Sequence, residues 1–219
     1  SDAFSAAGIG GTVMNLFIFV LTGCCTGASV ILSQMYGRKD FNAYRREAST
    51  ALGCGLIFSG ILAIGGLLLV RPLLRAMNTP EHLMADSTLY LRFYFGGIVF
   101  VFIYNIGSGI LRAVGDSRHP LYFLIICCFL NIFLDLVLVV FFHMGVVGVA
   151  LGTLISQGAS SLLVIRCLMK STDLYRLELR KIRFHGEPLA MLLRLGLPSG
   201  LQATMYSLAN IIIQTALNS

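Results

Sequence analysis

The chain has 219 residues, of which 57% are hydrophobic and 12% charged, with a formal net charge of +6 and a mean hydropathy of +0.84. A soluble domain carries about 25% charged residues, so a water-soluble globular protein is excluded. The pI near 9.2 does not read as nucleic-acid binding, because the basic residues are split among separate loops.

Residues 3–36, 48–70, 93–111, 144–165 and 195–219 contain no Asp, Glu, Lys or Arg. Each reaches or approaches the roughly 20 residues that cross about 30 Å of hydrocarbon as a helix. Membrane strands need only about 9–11 residues and alternate strictly, so the expected class is an all-α, polytopic helix bundle. The spans fall at Gly8–Gln34, Ser49–Val70, Ser87–Ala113, Leu121–Phe142, Val149–Met169 and from Leu189 onward. Pro72 and Pro80 mark the end of the second span, since proline lacks the N–H that continues a helix. "VGDSRHP" makes a tight turn after the third, and Gly145 and Gly148 turn the fourth into the fifth. Residues 171–187 read as an amphipathic linker, and Pro198 kinks the sixth span. Gly23 and Gly27, Gly148 and Gly152, and Gly196 and Gly200 are each four apart, the spacing that lets membrane helices approach closely. The chain begins at Ser1 and stops inside the apolar "SLANIIIQTALNS", so it reads as part of a longer protein that continues at both ends.

Thirteen of the sixteen Lys and Arg residues follow the first, third and fifth spans, and only Arg71, Arg75 and Arg92 fall on the other side. Basic loops stay cytoplasmic. Residue 1 is therefore expected outside and the 171–190 linker inside, in a plasma (inner) membrane, with anionic lipid as a partner.

The six cysteines form no C-x-x-C, the four histidines are far apart, and no phosphate-binding G-x-x-x-x-G-K-[ST] occurs. No cofactor is expected, and the cysteines read as small buried hydrophobes. The chemistry rests instead on polar residues inside the spans. Asn131 and Asp135 share one helical face within "CCFLNIFLDLVLVVFFHMG". A carboxylate at the bilayer centre costs about 2.5–3.5 kcal/mol on insertion scales, so intramembrane acids mark function by default. At 1.5 Å per residue, Asp135 lies about 12 Å from the His143 end. Thr153 lies about as far past the following turn, so an antiparallel hairpin brings Asn131, Asp135 and Thr153 to neighbouring depths. Such a set could hold a proton or coordinate Na⁺. The competing reading makes Asp135 a structural acid hydrogen-bonded between helices. Tyr104, Asn105, Gln157, Gln202 and Tyr206 are candidates for lining a cavity.

The strings "GASVILSQMYGRKDFNAYRR", "GILRAVGDSRHPL", "GVVGVALGTLISQ" and "LGLPSGLQ", in this order and spacing, resemble the multidrug and toxic compound extrusion (MATE) transporters. The resemblance implies a twelve-helix, two-lobe protein of which this chain supplies spans two to seven. Residues 1–170 would be the first lobe without its first helix, 171–190 the cytoplasmic linker, and 191–219 the first helix of the second lobe. It also implies an H⁺- or Na⁺-coupled antiporter, not an enzyme, that exports amphipathic organic cations. Asn131, Asp135 and Thr153 match the family's cation site, whose further aspartate belongs to span one. A glutamate that one branch carries eight residues after the span-seven proline is Tyr206 here. A lipid-linked oligosaccharide flippase is the nearer alternative, though Arg92 and Arg112 read as terminal anchors rather than a cationic cavity. A membrane aspartyl protease is more distant, because none of the six spans so drawn holds a second acid.

Overall fold

In the computed structural model, the described residues are 23, 25–76, 81–170, 194, 198, 201, 202 and 205. Five helices account for nearly all of them: α1 (residues 25–37), α2 (Phe41–Ala76), α3 (Glu81–Ala113), α4 (Arg118–Leu136) and α5 (Gly145–Lys170). Four stretches among them, Phe41–Arg75, Ser87–Ala113, Arg118–Phe141 and Val147–Lys170, are long and apolar enough to cross a membrane. The first expected span is helical over its described part. The linker, the sixth span apart from a few positions and the pair Gly196 and Gly200 lie outside the described residues.

The turns are set by local chemistry. α1 and α3 both close with a bond from the residue five positions on, Asp40 N–H to Met35 O at 3.1 Å and Asp116 N–H to Leu111 O at 3.0 Å. This Schellman closure needs a residue in the left-handed region. Gly115 supplies it after α3 at φ +87, and Lys39 adopts φ 60 after α1. Asp40 then caps α2 by accepting the Ala43 N–H at 3.0 Å. Asp116 does the same for α4, accepting the His119 N–H at 3.2 Å and pairing with the His119 ring at 2.6 Å.

α3 is the centre of the bundle: it packs against α2 on one side and α5 on the other. Tyr44 on α2 donates its hydroxyl to Ile110 O at 2.9 Å, and Ser29 on α1 donates to Gly109 O at 3.2 Å. These bonds, with Ile31, Leu32, Ala48, Leu52, Phe102, Ile106, Val164 and Leu168, form a continuous core toward the end that carries the basic turns. α2 and α3 run antiparallel, with the Phe102 and Phe95 rings seated on Gly55 and Gly66, where a side chain would overlap them. α4 lies at the edge and packs chiefly on α5. Phe129, Phe133, Leu136 and Phe141 on it are exposed, the surface a membrane helix presents to lipid.

Several boundaries differ from the sequence expectation: α3 begins at Glu81 rather than Ser87, α5 begins at Gly145 rather than Val149 and so takes in Gly148, and the second span differs at both ends. The second span does not stop at Pro72: α2 contains that proline and continues to Ala76. The packing of Leu74, which is buried, offsets the one backbone bond that proline forgoes. α2 also begins at Phe41, eight residues before the expected Ser49, because the Asp40 cap starts the helix within the charged segment.

Gly55→Leu drives a branched side chain into Phe102. It is expected to destabilise the full-length protein by roughly 1–3 kcal/mol, read as a lower melting temperature in detergent. Adding Phe102→Ala is expected to recover part of that loss, which marks the two positions as directly coupled.

Candidate functional site

The α4–α5 hairpin is antiparallel, and its two helices meet where the sequence places polar side chains. Asn131 Nδ2 donates to Thr153 Oγ1 at 3.4 Å, a long bond that joins the helices. One turn further along α4, the Asp135 carboxylate lies directly against the bare backbone of Gly152, in the space a Cβ would fill. Asp135 is half-buried, and its Oδ1 is sequestered with no hydrogen-bond partner among the described residues. The structure thus brings Asn131, Asp135 and Thr153 to one patch between two helices. Gly148 and Gly152 both face α4, where Leu138 and Leu134 pack onto them. Their spacing is what admits the acid.

The neighbouring hydroxyls on α5 are already engaged. Ser156 donates to Gly152 O, Ser160 to Gln157 O and Ser161 to Gly158 O, each at 2.8 Å. Hydroxyls that close onto the preceding turn satisfy themselves, so the available oxygens at the patch are those of Asp135, Asn131 and Thr153. Hard cations take oxygen ligands. With its amide nitrogen turned to Thr153, Asn131 keeps its carbonyl oxygen as an acceptor, so the donor set fits Na⁺ in kind and a proton in number.

The other candidates separate. Gln157 points its Oε1 at Gly97 of α3, away from α4. Tyr104 donates to Pro120 O at 2.9 Å, tying α3 to the start of α4. Asn105 bonds back to Val101 O at 2.8 Å on its own helix. Gln202 is helical and exposed, and Tyr206 lies outside the described residues.

Two features escaped the sequence reading. Immediately after Asp135 the α4 hydrogen bonding widens into a π-helical turn, Val137–Phe141, with Phe142 N–H bonded to Val137 O at 3.2 Å. Such turns recur at functional sites, but "VLVVF" carries no signal for one. The second feature is an acid. Glu47 on α2 is 0% exposed, and neither carboxylate oxygen has a hydrogen-bond partner among the described residues. The expectation that Asp135 is the one acid buried in the helices is therefore corrected. Glu47 follows Arg45 and Arg46 in "YRREAST" and reads as part of a charged loop. The early start of α2 turns it inward beside Tyr44.

A family model described as MatE matches residues 1–137. The probable multidrug resistance proteins YoeA and YpnP of Bacillus subtilis (strain 168) are 30% and 32% identical to the chain, covering 99% and 100% of it. The chain belongs to the MatE family. It spans about half the length of the curated relatives it matches, 48% of YoeA and 49% of YpnP. Among solved structures, an outward-facing multidrug resistance MATE family transporter superposes with a TM-score of 0.84 at 28% identity, over 96% of this chain and 47% of that one. An inward-facing MATE family transporter superposes with a TM-score of 0.82 at 28% identity, over 95% of this chain and 48% of that one. These MatE relatives are transporters rather than enzymes, and the chain is a multi-pass membrane protein of their kind.

Gly152→Ala tests the seat of the acid. Alanine favours a helix over glycine by about 1 kcal/mol, which offsets the crowding, so the melting temperature is expected to change little. The new Cβ occupies the place of Asp135 Oδ1, and activity that depends on Asp135 is expected to fall at least tenfold. Glu47→Leu removes a buried carboxyl with no hydrogen-bond partner among the described residues and is expected to raise the melting temperature in detergent.

Proposed function

We propose that the full-length protein is a cation-coupled antiporter that exports amphipathic organic cations, and that Asp135, with Asn131 and Thr153, is its coupling site. The observation that carries this reading is the company Asp135 keeps: its Oδ1 has no hydrogen-bond partner among the described residues, and Asn131 and Thr153 place two further oxygens beside it at the α4–α5 contact. A bare buried oxygen alone does not mark such a site, since Glu47 has two; a cluster of oxygens that an ion can share does. The names of the MatE relatives support multidrug export. The similar fit to an inward-facing and an outward-facing transporter supports a lobe that moves as a unit while access alternates.

Protonation or Na⁺ binding cancels the cost of holding this carboxylate away from water. At about 2.5–3.5 kcal/mol and 1.4 kcal/mol per factor of ten, that is roughly a hundredfold shift between two lobe arrangements. Moving an equilibrium from 1:99 to 99:1 takes about 5.5 kcal/mol, so one ion biases the cycle and substrate binding must supply the rest. Arg38, Lys39, Arg45 and Arg46 around one turn and Arg112 and Arg118 flanking the other support a cytoplasmic position for that end and an outer position for residue 1, in the inner membrane. Residues 1–170 would belong to the first lobe and 171–190 to the linker.

Asp135→Asn in the full-length protein is expected to abolish gradient-driven dye efflux while leaving expression intact. Asn131→Ala and Thr153→Ala each remove one hydrogen bond worth about 0.5–1.5 kcal/mol and are expected to weaken coupling roughly two- to tenfold. Collapsing the proton and sodium gradients in turn identifies the ion. Unchanged efflux in Asp135→Asn would remove this residue from the mechanism.

A further inference from the structure

Arg71, Arg75 and Arg92 lie at the end of the bundle opposite the basic turns, and the fold gathers all three into one place. Arg71 and Arg75 at the end of α2 and Arg92 on α3 line a groove of about 460 Å³ between the helices, with Thr88 at its side and Met84 and Leu89 as apolar walls. All three arginines are exposed, and the single ion pair among the described residues, His119 with Asp116, lies elsewhere. The two acids of the same stretch of sequence, Glu81 and Asp86, are too few to balance three guanidiniums one for one.

Depth decides what the groove meets. Arg71 and Arg75 close the span Phe41–Arg75, and Arg92 stands five residues inside Ser87–Ala113, about 7–8 Å along the helix. That is the interfacial zone, where long basic side chains reach the headgroups. Arginine on this side of a membrane protein works against the orientation signal, so three arginines in one groove need a compensating interaction. Guanidinium forks match phosphate oxygens in pairs, and the phosphates of lipid headgroups lie in the polar zone just outside the hydrocarbon.

We propose that Arg71, Arg75 and Arg92 form a binding site for the phosphate of an anionic phospholipid headgroup, with Met84 and Leu89 against its glycerol and upper acyl chain. The apolar walls and the depth favour a lipid over a free anion. The proposal depends on the membrane-spanning fold and not on ion coupling at Asp135.

The test uses the full-length protein in detergent and follows thermal stabilisation by phosphatidylglycerol, by phosphatidylcholine and by inorganic phosphate. Phosphatidylglycerol is expected to stabilise the wild type at concentrations at least tenfold lower than phosphatidylcholine, with phosphate having little effect. Arg71→Gln/Arg75→Gln/Arg92→Gln is expected to lose that preference. Should this variant fail to fold, the triple Lys variant keeps the charge without the fork and is expected to retain the preference in weakened form. An undiminished preference in whichever triple variant folds overturns the site. Full stabilisation by phosphate alone overturns the lipid as its ligand.

Discussion

The arrangement depends on a carboxylate oxygen of Asp135 held between two apolar helices with no hydrogen bond to it among the described residues. In a low-dielectric setting an unpaired polar atom is far more costly than in water, and the local structure is organised around that cost. Gly152 withholds its side chain so that Asp135 fits, and the α5 serines turn their hydroxyls onto their own helix instead of toward the acid. The contact between Asn131 and Thr153 holds the two helices together one turn away. The acid is thus accommodated sterically, with no hydrogen bond to its Oδ1 among the described residues.

α3 supplies the rigidity this needs. It is the helix against which both α2 and α5 pack, and its glycines receive side chains from α5 and α1: Gly107 takes Val164, Gly97 takes Gln157, and Gly109 takes Ser29. Among the described residues α4 packs chiefly on α5, which fixes its register.

Much of this was legible in the sequence because membrane helices declare themselves by length and lack of charge. Three spans were drawn close to the stretches that can cross a membrane, the second was drawn too short at both ends, and the four-residue spacing of Asn131 and Asp135, with Thr153 past a short turn, was enough to bring three side chains together. What was not legible depended on tertiary contacts. Glu47 has charged sequence neighbours, and only the inward face of α2 buries it. Pro72 reads as a terminator unless the packing of Leu74 is known. Gln157 sits one helical turn past Thr153, yet it faces α3 rather than α4. The role of Gly152 is invisible to a search for functional side chains, because it contributes by having none.

The principal residues of the candidate site, Asn131 and Thr153, are 22 positions apart, on two helices joined by a turn of only a few residues. A helical hairpin of this kind enters the bilayer as one piece, since neither arm has buried its polar face until the other arrives. Pairing within the hairpin gives the polar side chains shelter from contacts that are local in sequence. The geometry around the acid thus draws on one hairpin, while α3, which precedes it in the chain, packs against α5.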